Sequence, residues 1–180
     1  MTRHVALLRA VNVGGRNTIA MADLVALATR LGLRDARTLL QSGNLVFAAD
    51  AAAAKGLEER LEEETQRRLG LATTCIVRSA PEWSQIVARN PFGVEAAADP
   101  GHLLVMPLKA EPATGALEAL RAAIVGRERV ELAGRTAYLV YPDGAGTSKL
   151  TAKLIESKLG TRGTARNWNT VRKLLALLEG

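Results

Sequence analysis

The sequence predicts an α+β fold of two tandem lobes, each with four strands and two helices and each followed by an extra helix. Three observations indicate this fold. Segments patterned as strand, helix, strand, strand, helix and strand occur in the same order in both halves of the 180 residues. The glycines of the two predicted hairpins, Gly43 and Gly134, hold corresponding places, and a tryptophan stands near the start of each last helix. This repeat is typical of ferredoxin-like βαββαβ lobes related by duplication, with domains at residues 1–93 and 94–180.

The first half opens with a strand and an amphipathic helix. Residues 3–10 have the apolar pattern of a buried central strand. Apolar residues then recur at helical spacing from Met21 to Leu31, and Gly32 follows as a residue that ends a helix.

A hairpin and a second helix are predicted next. Residues 37–41 and 44–48 have the pattern of paired strands, with a turn at Ser42-Gly43-Asn44. Asp50 is placed to cap a helix that continues to Gly70, and its acidic and basic residues at i, i+4 spacing are typical of a solvated face.

The first lobe is predicted to end in a strand, a short helix and a linker. Residues 73–78 predict the strand. Ser79 and Glu82 form a capping-box pattern, and Asn90-Pro91 ends the short helix because the residue before a proline is pushed out of helical geometry. Residues 95–101 are predicted as the linker.

The second half repeats this order. Thr114 is predicted to cap its first helix, Gly160 to end its second helix and Asn169 to cap its last helix. The predicted strands are residues 102–106, 130–132, 136–141 and 161–166, and the second helix is residues 148–159.

Composition indicates a globular chain without membrane or disulfide features. Its residues are 48% hydrophobic and 23% charged, an ordinary balance for a folded domain. No apolar run approaches the roughly 20 residues that span a bilayer, and the N-terminus lacks a signal-peptide pattern. The single cysteine, Cys75, excludes an internal disulfide and fits a reducing compartment. We therefore expect a soluble cytoplasmic protein with no membrane partner.

A polar, glycine-bearing loop follows the first strand and is the strongest candidate for a ligand site. Its amides precede a helix N-terminus, which favours anions. A strand order of 4-1-3-2 places the loop beside the first hairpin. The combined set is rich in donors and contains no carboxylate, cysteine or histidine, so it suits phosphate or carboxylate recognition better than acid–base catalysis. The alternative is that its asparagines and glycines only shape turns.

Two segments of the second half are predicted to lie at the edge opposite its hairpin. Residues 143–149 contain Gly-Ala-Gly-Thr-Ser-Lys, which lacks the spacing of a nucleotide-hydrolysing phosphate loop. Residues 166–170 form the other segment, and Ser148 and Asn169 are alternatively plain helix caps. The predicted ligand-binding residues of both halves are Arg9, Asn12, Gly14, Gly15, Arg16, Asn17, Gln41, Ser42, Asn44, Lys149, Arg166, Asn167 and Asn169.

Catalytic, metal and cofactor sites have little support in the sequence. Cys75 lies in an apolar strand pattern, as core cysteines do. His4 and His102 have no clustered acids or cysteines around them, so no metal site is predicted. We predict no catalytic residue and no cofactor.

Four stretches together resemble a known bacterial family. They are residues 7–17 (LLRAVNVGGRN), 41–47 (QSGNLVF), 90–92 (NPF) and 164–170 (TARNWNT). They are similar, in this order, to the family catalogued as domain of unknown function 1697. The chain departs from the family pattern at Ala10 and Val11, where glycine and isoleucine are usual, and at Ala165, where threonine is usual. The resemblance implies an α+β fold with two similar lobes, and it implies no catalytic or binding residue.

Three classes of function follow as hypotheses. The first is binding of a phosphate-bearing or other anionic ligand, a nucleotide or nucleic acid, at the Asn12–Asn17 loop and the Gln41–Asn44 hairpin. The net charge of +6 is mild for a dedicated nucleic-acid-binding protein. The alternatives are an enzyme that stabilises an oxyanion with arginine and backbone donors, and a structural module that forms a homodimer.

Overall fold

Two four-stranded antiparallel sheets, each covered by helices, make up the protein. The computed structural model describes residues 1–180, which divide into two units. The first unit comprises Met1–Ser84 and Leu174–Gly180, and the second comprises Gln85–Lys173. The α+β class predicted from the sequence is confirmed.

The first unit carries a sheet of order β2-β3-β1-β4, which is the predicted order 4-1-3-2 read from the other edge. Its elements are β1 (Thr2–Leu8), α1 (Met21–Arg30), β2 (Arg34–Leu39), β3 (Asn44–Ala49), α2 (Ala51–Ala54), α3 (Leu57–Leu69), β4 (Cys75–Ser79) and α4 (Ala80–Ala88). The last residues of α4 belong to the second unit.

The core of the first unit lies between one face of its sheet and two helices. The sheet contributes Ala6, Leu8 and Phe47, and α1 and α3 contribute Leu24 and Leu61, all of them at most 1% exposed. Burial of such side chains stabilises the fold by about 1.5–3 kcal/mol each.

The second unit carries a sheet of order β6-β7-β5-β8. Its elements are α5 (Gly93–Ala98), a 3-10 turn (Pro100–His102), β5 (Leu103–Pro107), α6 (Ala116–Ala122), β6 (Arg129–Ala133), β7 (Thr136–Val140), α7 (Ala152–Leu159), β8 (Arg166–Asn167) and α8 (Trp168–Glu179). The residues of α8 from Leu174 onward belong to the first unit.

Both tyrosines of the chain are buried in the second unit and hydrogen-bonded through their hydroxyls. Tyr138 donates to the carbonyl of Ile86 at 2.6 Å, and Tyr141 donates to the carbonyl of Leu150 at 3.0 Å. Burial raises the pKa of each hydroxyl to about 12. Both tyrosines therefore keep their hydroxyl proton in the folded protein at neutral pH.

Two predictions, for the second helix and for the linker between the halves, are wrong in part. The predicted second helix is broken at Lys55 and Gly56, because Gly56 adopts a left-handed φ of 62°. Asp50 does cap its first turn, accepting a hydrogen bond from the amide of Ala53. The predicted linker at residues 95–101 is also wrong, since α5 and the 3-10 turn occupy it.

Three predictions of caps in the second half are wrong as well. Gly115, not Thr114, precedes α6. Thr151 caps α7 by accepting from the amide of Leu154, so this helix starts three residues later than the predicted Ser148 cap would place it. Asn167, not Asn169, accepts from the amide of Thr170 at the start of α8.

Candidate ligand-binding site

The end of β1 lies directly against the turn between β2 and β3. The antiparallel pairing of β1 with β3 brings Leu7 opposite Asn44. The amide of Leu8 then donates to the carbonyl of Gly43 at 2.9 Å. A Cβ atom on Gly43 would lie 3.0 Å from the Cβ of Leu8, and its φ is 77°, so glycine is required there.

Asn12 joins the loop after β1 to this hairpin. Its Nδ2 donates to the carbonyls of Gln41 at 2.7 Å and of Ile19 at 3.1 Å, and its Oδ1 accepts from the amide of Ile19 at 2.9 Å. These three hydrogen bonds use the whole side-chain amide. Asn12 therefore positions the loop, and its amide is already occupied within the protein.

The tip of the loop is a tight turn from Val13 to Arg16. The amide of Arg16 donates to the carbonyl of Val13 at 3.1 Å, and Gly14 and Gly15 have φ values of 59° and 71°. Positive φ at both central residues is the signature of a type I′ hairpin turn. Asn17 closes its base, since its carbonyl accepts from the amide of Asn12 and its Nδ2 donates to the carbonyl of Ala10.

This geometry corrects one part of the sequence interpretation. The glycine turn does not lead directly into a helix, because α1 begins only at Met21. The helix dipole, which falls off within the first turn, therefore does not act on the amides of Gly14 and Gly15. Those two amides and the guanidinium of Arg16 are exposed and have no partner within the protein.

Left-handed backbone conformations concentrate around this loop and hairpin. Five non-glycine residues of the chain have a positive φ, and Ala10, Asn12, Asn17 and Leu40 are four of them. Such residues are uncommon, and an isolated alanine or leucine in this conformation is strained by roughly 1–2 kcal/mol. Clusters of backbone strain are typical of functional sites. The strain therefore favours a role for this surface beyond folding.

Leu40 was missed by the sequence interpretation, which placed it inside a strand. It follows β2 in a left-handed turn with φ of 60°, and 52% of it is exposed. Val13, at the loop tip, is 62% exposed. The sequence signal that was available is the run Leu39-Leu40 directly before the Gln-Ser-Gly-Asn turn, where alternation fails.

Replacing Leu40 by glycine is expected to give a more stable protein than replacing it by alanine. Glycine adopts a positive φ without steric cost, so Leu40→Gly should exceed Leu40→Ala in unfolding free energy by about 0.5–1 kcal/mol, the reverse of the usual order in strands. Urea denaturation of both variants measures this difference. An alanine variant as stable as the glycine variant would show that the backbone at residue 40 is unstrained.

The remaining predicted residues of the first half serve the fold in different ways. The main chain of Arg9 is hydrogen-bonded to the two residues before β4. Its amide donates to the carbonyl of Thr74, and its carbonyl accepts from Thr73 Oγ1. Asn44 is 0% exposed, and its Nδ2 donates to the carbonyl of Leu39 and to Ser42 Oγ. Asn44 and Ser42 therefore stabilise the hairpin through hydrogen bonds within it.

The four predicted residues of the second half lie in the second unit. Arg166 is buried, and its Nη1 donates to Thr164 Oγ1 at 2.7 Å and to the carbonyl of Ala165 at 2.9 Å. Asn167 caps α8, whereas Asn169 and Lys149 are exposed. Two of these residues thus have structural contacts, and two face solvent.

The residues available for acid–base chemistry are occupied or distant from the glycine turn. In the second unit Asp143 forms an ion pair with Arg127, and this hydrogen bond lowers the pKa of the carboxyl group. In the first unit His4 lies towards the start of β1, whereas the loop follows its end. No group of three His, Cys, Asp or Glu residues is arranged to hold a metal ion, and Cys75 is buried.

The two antiparallel sheets, their covering helices and the glycine-bearing loop define an α+β protein with a candidate binding loop. No helix is both long and apolar enough to cross a membrane. The chain belongs to the family described as "Protein of unknown function (DUF1697)", whose profile matches residues 1–138. This confirms the resemblance seen in the sequence motifs.

A solved structure has the same overall fold. The conserved bacterial protein SP0830 from Streptococcus pneumoniae superposes with a TM-score of 0.76 over 98% of each chain, at 21% sequence identity. At this identity the likeness extends to the fold alone. A comparison with curated proteins finds no match.

Proposed function

We propose that the protein binds a phosphate-bearing anionic ligand at the tip of the loop after β1. The single observation that carries this proposal is the turn from Val13 to Arg16. It presents two backbone amides and a guanidinium to solvent, and none of the three has a partner within the protein. Adjacent backbone amides together with an arginine are a common way to hold a phosphate group.

The loop is also held in a fixed position, which supports binding. The three hydrogen bonds of Asn12 and the carbonyl contact of Asn17 order the loop before any ligand arrives. A preorganised loop loses little conformational entropy on binding. Val13 on the loop and Leu40 next to the hairpin turn add exposed apolar surface, which suits a ligand with a base or another flat group beside its phosphate.

Fluorescence polarisation of a labelled single-stranded oligonucleotide tests this proposal, with unlabelled nucleoside triphosphate as competitor. We expect Arg16→Ala to weaken binding and to lower the slope of log affinity against log salt concentration by about 1, the effect of one lost phosphate contact. Arg34→Ala is the matched control, because Arg34 is exposed at the start of β2, opposite Ala48 and away from the Gln41–Asn44 turn.

Two results would contradict the proposal. One is the absence of binding at low salt, and the other is an equal loss of affinity in the Arg16 and Arg34 variants. The second result would indicate attraction to the overall positive charge without a defined site.

We further infer that the two halves, residues 1–93 and 94–180, arose by duplication of a ferredoxin-like unit. The identical strand orders of the two sheets support this. A cytoplasmic location is part of the same proposal and is supported by the single cysteine, which is a free thiol.

A further inference from the structure

A small cavity of about 290 Å³ lies in the first unit. It is formed where the start of β1, the end of β4 and the first turn of α3 meet. His4 and the carboxylates of Glu58, Glu59 and Glu82 line it, and Leu57 and Val77 add apolar surface. No lysine or arginine is among its lining residues, so its polar groups are dominated by acceptors.

His4 is the unusual member of this lining. It is only 7% exposed, and its ring stacks on Phe47 with 5.7 Å between the ring centroids and 10° between the planes. Its Nδ1 lies 2.9 Å from the carbonyl oxygen of Thr2. Because a carbonyl only accepts, Nδ1 must carry the hydrogen of this bond.

The other ring nitrogen of His4 is therefore an acceptor. Burial lowers the pKa of His4, so the ring is neutral at pH 7 and Nε2 holds a lone pair. Nε2 has no hydrogen-bond partner within the protein, and this atom is not fully buried. The cavity is thus lined by a nine-tenths buried side chain that offers an unused hydrogen-bond acceptor.

The carboxylates have partly structural explanations, whereas the lone pair of His4 Nε2 has none. Glu58 accepts from the amide of Val77 at 2.7 Å, and Glu82 accepts from the amide of Ser79 at 2.7 Å. Acidic residues in the first turn of α3 also complement its dipole. Glu59 is exposed and has neither an ion pair nor a hydrogen bond. None of these roles uses the lone pair of His4.

We propose that this cavity binds a cationic nitrogen group, an alkylammonium or guanidinium, that donates an N–H to His4 Nε2. Glu58 is already paired with Arg78, so the negative charges of Glu59 and Glu82 balance the charge of the group, and Leu57 and Val77 contact its alkyl carbons. Such a group supplies both features that the cavity lacks, a donor and a positive charge. A metal ion fits less well, since these residues do not form a three-ligand cluster. The site lies towards the opposite end of β1 from the glycine turn and is independent of the anion site.

Binding should depend on pH in a defined direction. A proton on Nε2 competes with the ligand, so affinity falls as the pH drops through the pKa of His4. The charged groups near His4 are Glu58 and Glu59 on α3, Glu82 on α4 and Arg78 on β4. Nη1 of Arg78 lies 3.6 Å from Oε1 of Glu58. The charge of Glu82 favours the protonated ring, but burial outweighs it. By linkage, the bound cation lowers the pKa of His4 further.

Proton NMR of the imidazole signals tests the proposal on the full chain. The only other histidine, His102, is bonded to Asp99 and serves as the internal reference. Butylammonium should shift the His4 signals and lower the His4 pKa. Tetramethylammonium has the same charge but no N–H, so it should bind at least about tenfold more weakly, the worth of a charge-assisted hydrogen bond.

Two variants separate the site from general charge effects. Glu59→Gln should weaken butylammonium binding several-fold, whereas Glu63→Gln, an exposed carboxylate of α3 outside the cavity, should leave it unchanged. His4→Phe keeps an aromatic ring against Phe47 and should abolish the preference for butylammonium over tetramethylammonium. If that variant fails to fold, the Glu59 and Glu63 pair still decides the question.

Several results would overturn the proposal: equal shifts with both cations, unchanged binding in Glu59→Gln, or no shift of His4 at all. The source of the cation is distinguished by a blocked lysine, N-acetyl-lysine methylamide. Equal or tighter binding of this probe assigns the group to a protein side chain, and weaker binding than butylammonium assigns it to a free amine.

Discussion

Asn12→Ala is expected to lower the free energy of unfolding by about 3 kcal/mol, because three hydrogen bonds are lost and alanine tolerates the left-handed backbone less well than asparagine. The amide of buried Ile19 loses its acceptor, and the carbonyl of Gln41 loses its donor. Urea denaturation measures the loss.

Asn17→Ala is the matched control for this prediction. Asn17 has a similar φ of 51°, but its side chain makes one exposed hydrogen bond, to the carbonyl of Ala10. It should therefore cost about 1 kcal/mol. Equal losses in the two variants would show that the contact between loop and hairpin contributes little. Asn12→Asp keeps the acceptor for Ile19 but loses both donors, so it should fall between Asn12→Ala and the unaltered protein.

The second large effect is expected in the titration of the two tyrosines at alkaline pH. Both tyrosines have a pKa of about 12 in the folded protein, against about 10 in an unfolded chain. Phenolate absorbance should therefore be almost absent at ~pH 10.5 while the protein is folded. After denaturation both groups should titrate near their ordinary pKa.

The same pKa shifts make the free energy of unfolding depend on pH. A pKa that is raised by folding contributes stability that is present in full below the unfolded pKa and is lost as the pH rises through the folded pKa. Because the pKa of each of the two tyrosines is raised by about two units, the free energy of unfolding should decrease by roughly 5 kcal/mol between pH ~10 and pH ~12. Tyr141→Phe should remove about half of this dependence. Phenolate formation near pH ~10 with circular dichroism unchanged would contradict the prediction.

The sequence predicted the strands and the sheet order of the first half well, because alternation of apolar residues and the hairpin glycine determine both. It failed where one residue interrupts a pattern. Gly56 breaks a helix that the charge pattern predicts to be continuous, and Leu40 continues an apolar run while its backbone turns away from the strand. Such residues satisfy the local pattern, and only tertiary contacts decide their conformation.

The sequence predicted that the loop after β1 and the first hairpin lie side by side, but not how their side chains are used. The loop and the hairpin do lie together, as the hydrogen bond from Asn12 to Gln41 shows. The sequence could not show that this amide would face the protein instead of a ligand, because asparagine is equally suited to both. The sequence offered His4 only as a poor candidate for metal binding or acid–base chemistry, because its two neighbours, Thr2 and Phe47, are brought to its ring only by the folded strands.

The first unit includes residues that the ribosome makes only after the whole second unit. The segment from Leu174 onward belongs to this unit, and the guanidinium of Arg3 donates to the carbonyl of Leu177 at 3.0 Å. A nascent chain that has released only residues 1–84 therefore holds a sheet whose closing helical turns are still unsynthesised. The contacts between residues 1–84 and these helical turns can therefore form only after translation has passed the whole intervening unit.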